Sequence, residues 1–253
     1  MVGLIIVVVL SVIMLIYDWN QRTAFPGDGR LLSFFEATAL TGPTGELVDA
    51  VPMAGPITIW LPETVETESG QVAIDKVITQ VDRSLKYFAA TTGMDFYRVA
   101  AEQDAVIRYA FEMDCHGPER RVTRQVSDGI TRGASITIDI ARVAIGHDSN
   151  CTNPKDGCVG DDAVVETVRA LVFAGLVEAL GLQQRPQRGA TVLRGEAWPT
   201  GYDMAALGLL YHPKVLQASG PFDKLARAEE VARDWPDFPR IEKFYAYHGL
   251  NDR

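Results

Sequence analysis

The chain is predicted to fold as an α+β body on a twisted mixed sheet with two long helices, behind an N-terminal transmembrane helix. Three observations carry that expectation. The opening stretch "MVGLIIVVVLSVIMLIY" has no charged side chain before Asp18. After a Gly- and Pro-rich segment the order is strand, helix, three or four strands, long helix and then small helices, the pattern of a mixed sheet packed by helices. Of 253 residues, 47% are hydrophobic and 23% charged, enough to bury a substantial core.

The opening stretch spans about 25 Å as a helix, just under the ~30 Å hydrocarbon thickness of a bilayer. A signal peptide would show a basic start and a small-x-small cleavage site, and neither is present. A helix so β-branched and apolar all round does not read as a core helix. Residues 1–19 are therefore read as a membrane anchor, with Tyr17 and Trp19 at the interface. Arg22 and Arg30 lean towards a cytoplasmic body, but Asp18 and Asp28 offset them.

Residues 20–55 are rich in Gly and Pro ("FPGDGR", "TGPTGE", "MAGP") and read as a tether that partly packs on the body, with "LLSFFEATAL" a short helix. The body runs over 56–253. "ITIWLP" is a β-branched strand with a Pro stop. Val72, Ile74, Val77, Ile78, Val81, Leu85 and Phe88 then recur near the helical period, and Gly93 closes that helix. "DFYRVA" and "AVIRYAFE" read as strands, and the ribbon from Arg121 to Ile140 turns at Asp128-Gly129. The long helix, 161–182, has Asp161 and Asp162 at its positive end and Gly181 at its stop. "TGYDMAALGLLYHPKVLQ" is helical, with Thr200 as cap and an interruption near Pro213. "PFDKLARAEEVARDW" is a last amphipathic helix before an aromatic tail.

"AGLVEALGL" (174–182) and "PTGYDMAALGLLYHP" (199–213) carry a resemblance. The body resembles the zincin-like metallopeptidase fold. It is closer still to an uncharacterised family of proteobacterial envelope proteins, domain of unknown function 2927. Leu176 and the Ala179–Leu182 ending match the first motif of that family; Thr200, Asp203, Leu209, Leu210, Tyr211 and Pro213 match the second. The resemblance covers roughly residues 55 to 220.

An extended zincin site needs His-Glu-x-x-His-x-x-Gly-x-x-His. Two imidazoles one helical turn apart hold the metal, and the Glu activates its water. In the register set by Gly181, the ligand positions are Ala174, Glu178 and Gln184, and the general-base position is Gly175. Ala has no donor atom, Gln is a poor zinc ligand and Gly moves no proton. The similar envelope family would have Glu at both Ala174 and Gly175, so this chain departs from that pattern too. The expectation is a pseudo-metallopeptidase helix with no catalytic residue, no metal and no cofactor. Its apolar side (Val164, Val168, Leu171, Val172, Leu176, Ala179) reads as core, with Gly175 admitting another backbone and Glu178 either anchoring Arg or Tyr or solvated.

Other constellations are weaker. His116, His147, His212 and His248 are scattered. A structural zinc on Cys115, Cys151, Cys158 and one His has looser spacing than zinc knuckles show. Glu63, Glu66 and Glu68 lack the Asp-x-Asp-x-Asp-Gly pattern of a calcium loop and read as solvated. The aromatics Trp235, Phe238, Phe244, Tyr245 and Tyr247 either wrap on the body or form a docking surface. A net charge of −9 without a basic run excludes a general nucleic-acid grip.

An odd count of three cysteines leaves at least one unpaired or paired between chains. Cys151–Cys158, bracketing "TNPKDG", is the favoured bridge; Cys115–Cys151 and Cys115–Cys158 stay open. A bridge implies an oxidising compartment, hence a single-pass inner-membrane protein with a periplasmic body. The expected role is a catalytically inactive, membrane-anchored domain that binds another envelope or inner-membrane protein. The alternatives are a non-standard hydrolase using the cleft beneath the 161–182 helix and a lipid or cell-wall ligand-binding module.

Overall fold

The computed structural model of the chain describes residues 7, 10–14, 29–67, 70–112, 119–139, 161–183, 186, 190–196 and 198–235, without the side chains of 66, 67, 70–72 and 161–164. The three cysteines, Gln184, three of the four histidines and the aromatics beyond Trp235 lie outside the described residues. So does most of the expected anchor over 1–19; among the described residues no helix is long and apolar enough to cross a membrane.

Five strands make one mixed sheet: β1 (Ile57–Trp60), β4 (Phe96–Arg98), β5 (Ile107–Glu112), β6 (Arg120–Ser127) and β7 (Ile130–Asp139), in the order β4-β1-β5-β7-β6. The first four strands of that order run parallel; β6 is the antiparallel edge. The β6–β7 hairpin turns at Asp128 and Gly129, both with positive φ (53° and 70°), as the Asp-Gly signal demands. A register shift between Gln125 and Val126 marks a bulge.

Alternation decides the faces. Ile57 and Ile59, Ile107 and Tyr109, Ile136 and Ile138 are buried on one face. Ala110, Ser135, Arg121, Thr123 and Gln125 are exposed on the other. The two long helices, α2 (Asp75–Thr92) and α3 (Asp161–Ala179), pack on the apolar face: α2 touches β4 and α3, and α3 lies against β6 and β7. Gly93 at φ +71° ends α2, donating to the Ala89 carbonyl.

One feature was not legible in advance. A small hairpin, β2 (Thr64–Thr67) with β3 (Gly70–Ala73), occupies the stretch expected as a solvated loop. The pairing Val65↔Val72 takes Val72 out of the helix expected to include it, and α2 begins at Asp75. The short helix expected within the partly packed tether is present as α1 (Gly29–Ala39), whose Leu31, Phe34 and Phe35 are buried; α1 contacts α4 (Gly201–Tyr211) and α6 (Pro221–Arg233). Between those lies the short α5 (Pro213–Leu216), where His212 turns extended because Pro213 excludes helical geometry before it.

Candidate functional site

The second half of α3 is wedged beneath the β6 edge. Tyr109 in β5 donates its hydroxyl to the Val172 carbonyl at 2.9 Å, pinning the helix to the sheet. Burial holds that phenol well above its ordinary pKa, so it stays a neutral donor. One turn on, Ala174 is buried and Gly175 faces β7 and β6: a Cβ added there would lie 2.6 Å from Ile136 Cγ2 and 3.3 Å from Arg120 Cδ. The close approach expected at Gly175 is thus made by side chains, not by another backbone.

Glu178 is closed by an ion pair. Arg120, at the start of β6, donates to its Oε2 from Nε at 3.1 Å and from Nη2 at 2.9 Å. The Arg120 side chain is only 7% exposed and that of Glu178 24%, so the pair is largely out of water. Of the two readings of Glu178, the anchored one is what the structure shows.

Arg124, on the same face of β6 beyond Val122, extends the closure. Arg124 donates through Nη2 to the Val51 carbonyl and the Thr131 hydroxyl, with its Nε buried and unbonded among the described residues. Burial lowers its pKa, opposed by Tyr211 and Glu178. The strap 49–54 is held by its main chain: Thr131 N donates to the Pro52 carbonyl at 2.9 Å and Ala54 N to the Thr131 carbonyl at 3.0 Å. Met53 N donates to the Tyr211 hydroxyl, which itself donates to the Leu180 carbonyl, both at 2.8 Å. Lys224 fastens the strap from α6 through Asp49 at 2.5 Å and the Ala50 carbonyl at 3.0 Å. Gly181, at φ +123°, ends the helix where a side chain would strike Leu210.

The second motif proves structural. Thr200 and Asp203 form a reciprocal cap at the start of α4: Thr200 N donates to Asp203 Oδ2 at 2.8 Å and Asp203 N to Thr200 Oγ1 at 3.3 Å. Asp203 is 0% exposed and also accepts from Val192 N at 3.1 Å and from the Thr191 hydroxyl. Burial raises its carboxyl to about 6, with those donors pulling the other way.

No group of three or more His, Cys, Asp or Glu that could hold a metal exists among the described residues. His212, the one described histidine, accepts from Lys214 N at 3.3 Å through Nδ1, and burial lowers its pKa. Among the described residues no hydrogen bond joins it to a nucleophile. The structure therefore brings Gly175 and Glu178 together at Arg120, with Ala174 buried on the same helix, and the site residues that the sequence reading missed are Arg120, Arg124 and Tyr109. The available signal was the phase of "RRVTRQV": Arg120, Val122 and Arg124 share one face. Comparison of the chain with protein-family models, with curated proteins and with solved structures finds no match.

Proposed function

We propose that the chain is a catalytically silent domain of zincin-like fold, anchored in the bacterial inner membrane through residues 1–19, with a periplasmic body that binds another envelope or inner-membrane protein. The observation that carries the silent part is the Arg120–Glu178 pair. A metal on this helix would need donors at Ala174 and Glu178. The first position has no donor atom, and at the second a guanidinium already supplies the positive charge a cation would bring. The zincin-like part is supported by the mixed sheet and by the helix ending in "ALGL" packed under its antiparallel edge.

Elemental analysis and peptide hydrolysis by the full-length chain test this reading. Zinc should be far below one per chain, and unchanged in Glu178→Ala. Stoichiometric zinc lost in that variant, or hydrolysis lost in it, would overturn the silent reading in favour of a non-standard hydrolase.

A further inference from the structure

The carboxyl ends of the adjacent parallel strands β1 and β4 border an open-sided cavity of about 400 Å³, lined by residues 60–63 and 98–100. The strands part there. Val99 N still donates to the Ile59 carbonyl at 2.9 Å, but the next rung, from Leu61 N to the Val99 carbonyl, is not made. The Leu61 N–H and the Val99 carbonyl therefore have no partner among the described residues, one a donor and one an acceptor.

Two charged residues, Arg98 and Glu63, are among those that line the same cavity. Arg98 is gripped from α2, its Nε lying 3.1 and 3.3 Å from the two carboxylate oxygens of Asp82. That grip fixes the guanidinium and leaves its terminal nitrogens unbonded among the described residues. Glu63 is exposed, and its carboxylate has no hydrogen bond or ion pair among the described residues.

We propose that this cavity binds a small peptide-like zwitterion, a free dipeptide or amino acid. Its carboxylate is taken by Arg98 and its ammonium by Glu63, while an amide meets the open rung between Leu61 and Val99. A guanidinium fork suits a carboxylate, and one already held by Asp82 loses little freedom on binding. Glu63 works against phosphates and other polyanions, and a single carboxylate does not make a cation site. The volume is at the small end of the ~300–1,000 Å³ typical of small-molecule sites. The proposal is independent of any reading of α3.

Calorimetric titration of the full-length chain in detergent with alanyl-alanine, its N-acetyl form and its amide tests it. The free dipeptide should bind saturably, and capping either end should weaken binding roughly tenfold or more. Arg98→Gln should erase the difference between the dipeptide and its amide; Glu63→Gln should erase the difference from the acetylated form. Arg98 and Asp82 are 29% and 43% exposed, so losing their pair leaves the fold intact, which a thermal melt checks. Absence of saturable binding by the free dipeptide overturns the proposal, as does equal binding of all three compounds or by both variants.

Discussion

At the scale of single residues, the site is defined by what Arg120 does to Glu178. Removing the guanidinium leaves a largely buried carboxylate without its partner, which costs more than the pair is worth. Arg120→Met should destabilise the chain by about 1–3 kcal/mol. Adding Glu178→Gln should recover part of that loss, because the uncompensated charge goes with it. Denaturant midpoints of the two single variants and the double variant measure the coupling; strict additivity would mean that the pair is not a unit. Gly175 is the steric side of the same arrangement. Gly175→Ala gains about 1 kcal/mol of helix propensity. It also drives a methyl to 2.6 Å from Ile136 Cγ2. Overpacking of that kind costs about 1–3 kcal/mol, so the net change should be destabilising. An unchanged or raised melting temperature would show that β7 yields easily at Ile136.

At the scale of elements, α4 and the segment before it are joined through one buried carboxyl. Asp203 is raised from 3.8 to about 6 by burial, so between those values the folded chain holds a proton that the unfolded chain has released. The contribution of Asp203 to stability is therefore largest below about pH 4, falls as pH rises towards 6, and stays at its reduced level above that. Asp203→Asn removes the titration. It also turns an amide NH2 towards donors from Thr191, Val192 and Thr200, costing about 1–3 kcal/mol. Stability measured against pH for both forms should give a difference that narrows as pH rises from about 4 to 6. A difference constant with pH would place the Asp203 pKa at its ordinary value. Most of these elements were legible because each rests on local chemistry. Asp128-Gly129 suits two positive φ angles, Gly93 suits a left-handed cap, and Thr200 suits an N-cap, to which the structure adds the reciprocal bond from Asp203. The β2–β3 hairpin was not legible: four-residue strands holding Thr, Glu, Gly and Gln carry almost no apolar period.

At the scale of the whole molecule, the body is bound up with the chain that precedes it. α1 buries Leu31 and Phe35 against the body, and the strap after it is fastened by Arg124, Tyr211 and Lys224 from three separate elements. The compartment of that body is the remaining global question, and the cysteines address it. With Cys151–Cys158 or one of the longer pairings bridged, two of the three thiols should resist labelling of the native chain until reductant is added. Labelling of all three without reductant in fresh protein would favour a cytoplasmic body.

What the sequence by itself determined was the type of most elements and that no histidine stands at three helix positions. Periodicity and caps act over a few residues. Whether Ala174 or Gly175 carries a donor atom, or Glu178 an imidazole, is a property of the residue and needs no fold. Tertiary structure alone decided what stands in place of that chemistry. Arg120 and Glu178 are 58 residues apart. They meet because the β6–β7 register puts Arg120 on the inward face, and because Gly175 lets α3 run close beneath it. That encounter is set by strand pairing and helix packing over long separations, and no local pattern in the chain encodes it.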